Sequence, residues 1–144
     1  MQLENTLSST IRNGDAVGTD QSRFEEGLAI RKEVLGGEHV QRSLDNATPF
    51  AQPMQELVTE LAWGTIWSRP GLSRQTRSLL NIAMLSALAH HDELRAHVRG
   101  ALTNGCTIEE IQETVLQASV YAGMPAGLAA FRIADAVITE HLQA

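Results

Sequence analysis

Residues 79–89 read LLNIAMLSALA, and across that run only Asn81 and Ser86 are polar. Nothing alternates with period two there or anywhere else over a useful length, so no sheet is expected. A helix that is apolar on every side must be buried on every side. Few helices of a 144-residue chain can be so enclosed. The stretch therefore points to the centre of an oligomer, the other reading being an unusually buried core within one chain.

Working outward, the flanks carry helix punctuation. Ser73 is placed to cap this helix, and Arg69-Pro70-Gly71 ends the one before it, which starts near Thr48-Pro49 and Pro53 and runs through QELVTELAWGTIW. Upstream, Ser22 and Glu25 have capping-box spacing, and the helix they open stops at Gly36-Gly37. Residues 38–48 are expected as a polar connector. Downstream, a turn at His90-His91-Asp92 leads into a helix ended by Asn104-Gly105. Thr107 and Glu110 open another, which stops at Gly123, and Pro125 begins a last one reaching about His141. The fold class is all-α, a single domain of about six helices over residues 22–144, preceded by a polar, aperiodic arm at 1–21. No repeat is visible.

Composition narrows the function. The formal charge is −6 and aromatic residues make up 4%. Phosphate backbones are bound through dense Lys/Arg patches, so neither nucleic acid nor an anionic membrane is an expected partner. Ten arginines stand against one lysine, Lys32. Arginine grips carboxylates through a rigid two-pronged fork, although a G- and C-rich genome gives the same skew. The one cysteine, Cys106, allows no CxxC pair. The N-terminus lacks a basic start and an apolar signal core, and no apolar run approaches the ~20 residues of a membrane span. A cytoplasmic location is the expectation.

Three groups of residues suggest chemistry. Arg69, Arg74 and Arg77 gather beside Trp67. Cations in a first helical turn oppose the helix dipole and call for an anion, whether a bound carboxylate or acidic side chains from elsewhere. Glu93 and His97 are four apart on one helix, with His90 three before Glu93. A carboxylate beside an imidazole orients the ring and raises its pKa, fitting it for proton transfer near neutrality. A solvated surface pair is the plain alternative, and a metal site with His90 the weakest. The connector contributes His39, Arg42 and Ser43, either as ligand contacts or as a wet loop.

The stretches RFEEGLAIRKEVLGGEHVQRSLDNAT, LAWGTIWSRPGLSRQTRSLLNIAML and DELRAHVRGALTNGCTIEEIQETVLQASVYAGMPA resemble the carboxymuconolactone decarboxylase family over roughly residues 22–141. AWGxIWxRPGL and HxRxAxxNG are the specific segments. The resemblance implies an alkylhydroperoxidase-D-like helical fold assembled as a homo-oligomer, a trimer or hexamer. Peroxidase-linked members of that superfamily carry Glu, CxxC and His. At the matching positions this chain has Ser78, then His90 and Glu93, with His97 retained, so thiol chemistry is not implied. The implied activity is decarboxylation of 4-carboxymuconolactone to 3-oxoadipate enol-lactone in protocatechuate catabolism, with no cofactor and no metal, on a small-molecule lactone carboxylate.

The implied roles follow residue by residue. His97, Glu93 and Arg77 are the expected catalytic residues, with Arg69, Arg74, Trp67, His39 and Arg42 lining the substrate site. Leu61 departs from the histidine expected before AWG in some relatives. The competing expectations are another acidic lactone as substrate, or a non-catalytic helical oligomer that binds a small acid.

Overall fold

A computed structural model describes residues 20–144; the arm expected at 1–21 therefore lies, but for its last two residues, outside the described residues. Among them every regular element is helical: α1 (Asp20–Leu35), α2 (Gly37–Asp45), α3 (Gln52–Val58), a π-helical continuation of α3 (Thr59–Trp67), α4 (Arg74–Ala87), α5 (His91–Thr103), α6 (Ile108–Ala122) and α7 (Met124–Gln143).

The caps explain several boundaries. Ser73 Oγ accepts the Thr76 amide at 3.1 Å and starts α4. Thr107 and Glu110 close a reciprocal capping box at the head of α6, with bonds of 3.0 and 2.8 Å. Such a cap contributes about 1 kcal/mol. Pro125 sits in the first turn of α7, where its missing amide proton costs nothing.

Four sequence expectations need correction. Helix α1 begins at Asp20, so Ser22 lies inside it rather than at its cap. The expected connector is mostly helix α2. Gly36, at φ +91°, turns the chain, and Val40 drops into the core with no exposure. That single buried anchor outweighs the polar look of the segment. The helix through QELVTELAWGTIW holds as one rod but widens to π geometry from Thr59. Finally, α4 is not enclosed by its own chain. Ser78, Ile82 and Ser86 are buried, whereas Leu80 and Met84 are about half exposed at 47% and 53%.

Two cores result. Helices α4 to α7 enclose an aliphatic one around Ile82, Leu94, Val98, Ile111, Val115 and Val137. Helix α1 and the π-helical segment enclose a smaller one of Ile30, Val34, Trp63 and Trp67. Here two backbones nearly touch. A Cβ on Gly27 would collide with the Thr59 carbonyl, and one on Gly64 with the Arg23 carbonyl. Only glycine permits that approach, which seats the tryptophan pair beneath α5.

Candidate active site

The π-helical segment determines where the tryptophans point. Its wider turn is visible in Thr65 Oγ1, which donates to the carbonyl of Glu60 five residues back at 3.0 Å. Trp63 and Trp67 thereby stack on one another, centroids 4.8 Å apart. Such π-bulges recur at functional sites. The His97 ring, from α5, lies almost parallel to Trp63 at 6.0 Å and 4°, and 6.2 Å from Trp67. Across from the indoles, Asn81 Nδ2 stands 3.4 Å from His97 Nδ1. If the amide donates, the imidazole proton resides on Nε2.

Burial decides the charge of this imidazole. Desolvation pushes His97 down to about 4, and the nearby Glu93 carboxylate pulls it upward by less. The sequence reading gave the carboxylate the larger effect. Glu93 is exposed, so water screens its charge, and the ring is neutral at pH 7.

A cavity of about 120 Å³ adjoins this group, lined by Ile66, Trp67, Arg77, Leu80, Asn81 and Met84. Arg77 is held at its edge by an Nη2 bond to the Arg69 carbonyl at 3.1 Å. Its buried Nε has no partner, so a donor is free for an incoming anion. Larger grooves of about 340 and 360 Å³ run between α4 and α6, but their walls are almost wholly apolar and Glu113 is their one ionisable residue. The smaller cavity holds the chemistry.

The structure thus brings Arg77, Trp67 and His97 together and adds Asn81 and Trp63, which residue-type reasoning had not assigned. Asn81 did carry a signal, as a polar residue in an apolar helix. The Arg69 side chain is exposed, and only its carbonyl serves the cavity. Arg74 is occupied by Glu33 of α1 at 2.6 Å. His39 and Arg42 do not line the cavity. Leu61 is 52% exposed and lines none of these hollows. Among the described residues no group of three or more His, Cys, Asp or Glu is close enough together to hold a metal ion, and His90 is exposed at the head of α5. Ser78 is fully buried and accepts from Asn104 Nδ2 at 2.9 Å. Cys106 is buried, and burial pushes its thiol up, with Glu110 adding to the shift. A thiol so protonated is a poor nucleophile.

The model of one protein family, carboxymuconolactone decarboxylase, matches residues 52–136. The chain belongs to that family. The match begins at α3 and runs into α7, so it takes in the tryptophan pair, Arg77, Asn81 and His97. A 4-carboxymuconolactone decarboxylase of Acinetobacter baylyi is 49% identical over 121 residues, covering 84% of this chain and 90% of that protein. A nitrosuccinic acid decarboxylase of Metarhizium robertsii is 46% identical over 130 residues, covering 89% and 91%. These family members extend the likeness beyond the family model to both sides. The all-α fold expected from the resemblance is the one observed, and among the described residues no helix is long and apolar enough to cross a membrane.

Proposed function

We propose that this protein decarboxylates 4-carboxymuconolactone to 3-oxoadipate enol-lactone, a step of aromatic catabolism, without a cofactor. The observation that carries the proposal is the neutral His97 ring, clasped by Trp63, Trp67 and Asn81 beside a cavity with an unsatisfied Arg77 donor.

The substrate is a five-membered unsaturated lactone bearing a carboxylate on its γ carbon and a carboxymethyl arm. Breaking the bond to the γ carboxylate releases CO2. The electron pair left behind flows through the ring double bond onto the lactone carbonyl, giving a dienolate. Protonation of the carbon next to that carbonyl completes the reaction. The electron sink lies in the substrate, so the protein must hold the arm, stabilise the oxygen and supply a proton. Arg77 grips the arm; a charge-assisted hydrogen bond of this kind contributes about 1.5–3 kcal/mol. Trp67 forms the wall. His97 donates the proton. Its resting neutrality is compatible with that role, since a dianion entering the cavity favours the imidazolium, and Glu93 acts in the same direction. Asn81 positions the ring.

The cavity is smaller than most ligand sites, and its rim carries the exposed Leu80 and Met84. A second copy of the chain seated on this apolar face closes it, which makes the working form a homo-oligomer, in the cytoplasm.

A second reading is favoured by the relative named for nitrosuccinic acid. That acid also carries a carboxymethyl arm and an internal electron sink, its nitro group. Another acid of this pattern would meet the same Arg77 and His97. Freshly generated carboxymuconolactone and nitrosuccinate, each followed by CO2 release without added cofactor, discriminate the two. Release from neither, by a folded protein, overturns both.

A further inference from the structure

Away from the Arg77 cavity, three helices bring together cations with no acid among them. Arg31 of α1 is only 8% exposed. One of its nitrogens donates to Thr59 Oγ1 at 3.0 Å, and its buried Nε has no partner. Desolvation lowers its pKa, and no carboxylate opposes the shift. His39 of α2 is half-buried and also held below its ordinary value, first by burial and then by the charges of Arg99, Arg42 and Arg31. Arg42 and Arg99 are exposed, on α2 and α5. Among the described residues no carboxylate lies within ion-pair range of these three arginines.

That is anomalous for this chain, whose 17 acidic residues outnumber its 11 lysines and arginines. Guanidinium does not give up its proton. An unpaired buried charge costs several kcal/mol, and a structural role would have recruited one of the abundant carboxylates to offset it. A site kept open for an incoming anion leaves the donor unpartnered.

We propose that Arg31, His39, Arg42 and Arg99 form a second anion-binding site for a small oxyanion of two or more charges, a di- or tricarboxylate or a phosphate. Arg31 is its most deeply buried donor, and Arg42 and Arg99 are its solvent-side guanidiniums. None of the four lines the Arg77 cavity. The site stands independently of the activity proposed above.

The test is a titration of the full-length protein with inorganic phosphate, and separately with succinate, at constant ionic strength set by chloride. The readouts are the His39 ring resonances and the melting temperature. A saturable shift of the His39 signals and a rise in melting temperature are expected with each oxyanion. Arg42→Met and Arg99→Met, both at exposed positions, weaken binding about tenfold each, as expected for one charge-assisted bond lost. Arg31→Met abolishes binding yet melts no lower than wild type without anion, because an uncompensated buried charge is gone. If Arg31→Met does not fold, the two exposed variants decide alone. Unsaturable shifts, or equal affinity in Arg42→Met and Arg99→Met, overturn the proposal. So does an Arg31→Met protein that melts lower yet keeps the phosphate-induced rise. Phosphate as a competitive inhibitor of decarboxylation identifies the anion as a carboxylate of the substrate; an unchanged KM identifies a separate anion. The binding readouts need no turnover, so a wrong substrate assignment leaves them intact.

Discussion

The two cores of this molecule are built to opposite rules. The aliphatic core of α4 to α7 holds Ile82, Leu94, Val98 and Ile111 at zero exposure, and it lines up with ordinary helical periodicity. The aromatic core of α1 and the π-helical segment departs from that periodicity, requires two glycines for backbone contact, and borders the buried Arg31 and the half-buried His97. The first supplies stability. The second carries unpaired donors and a neutral imidazole, both of which cost stability, and on our reading it does so because ligands bind there.

Replacement of His97 sharpens that contrast most. His97→Gln is expected to lower kcat by about 10²–10⁴-fold while leaving the far-ultraviolet circular dichroism and the melting temperature at pH 7 near wild type. Activity within threefold of wild type in a folded protein would remove His97 from the chemistry. The converse substitution lies in the other core: Leu94→Ala should destabilise by about 2–5 kcal/mol in urea and leave the KM of the surviving folded enzyme unchanged. Loss of activity without loss of stability would mean that the division between the cores is false.

Acid pH separates the cores more gently. The folded pKa of His97, about 4, lies below the ordinary 6.5 of the unfolded chain. Between those values the unfolded state binds more protons. The stability tied to a neutral His97 is complete above pH 6.5 and is lost as the pH falls to 4. Linkage puts the loss at no more than about 3 kcal/mol. Urea midpoints from pH 7 to 4 should fall less steeply in His97→Gln; parallel slopes would contradict the neutral ring. The smallest effect is expected at Arg74, whose ion pair with Glu33 is 43% and 61% exposed. Arg74→Ala should cost about 0–1 kcal/mol and leave kcat/KM unchanged, whereas Arg77→Met should raise KM about tenfold.

What could be read from the residues follows the same division. Ser73, Thr107 with Glu110, Asn104-Gly105 and Pro125 mark helix ends through local hydrogen bonding and backbone limits, and the structure places the ends there. Where a distant contact decided the outcome, reading failed. Val40 turned an expected connector into α2, and Ser22 lost its cap role because α1 extends beyond it. Asn81 was visible as the odd residue of an apolar helix, but nothing local said that it faces His97. Arg31 looked like any arginine of an amphipathic helix.

By itself, then, the sequence determined an all-α chain, its helix stops, its family motifs and the apolar surface of α4, because these depend on neighbours within a few residues. Tertiary structure alone decided that burial outweighs Glu93 at His97, that Arg74 is taken by Glu33 while Arg77 keeps a free donor, and that Arg31 is buried without a counter-charge. Desolvation and ion pairing depend on what lies across space, and residue spacing along one helix carries no record of it.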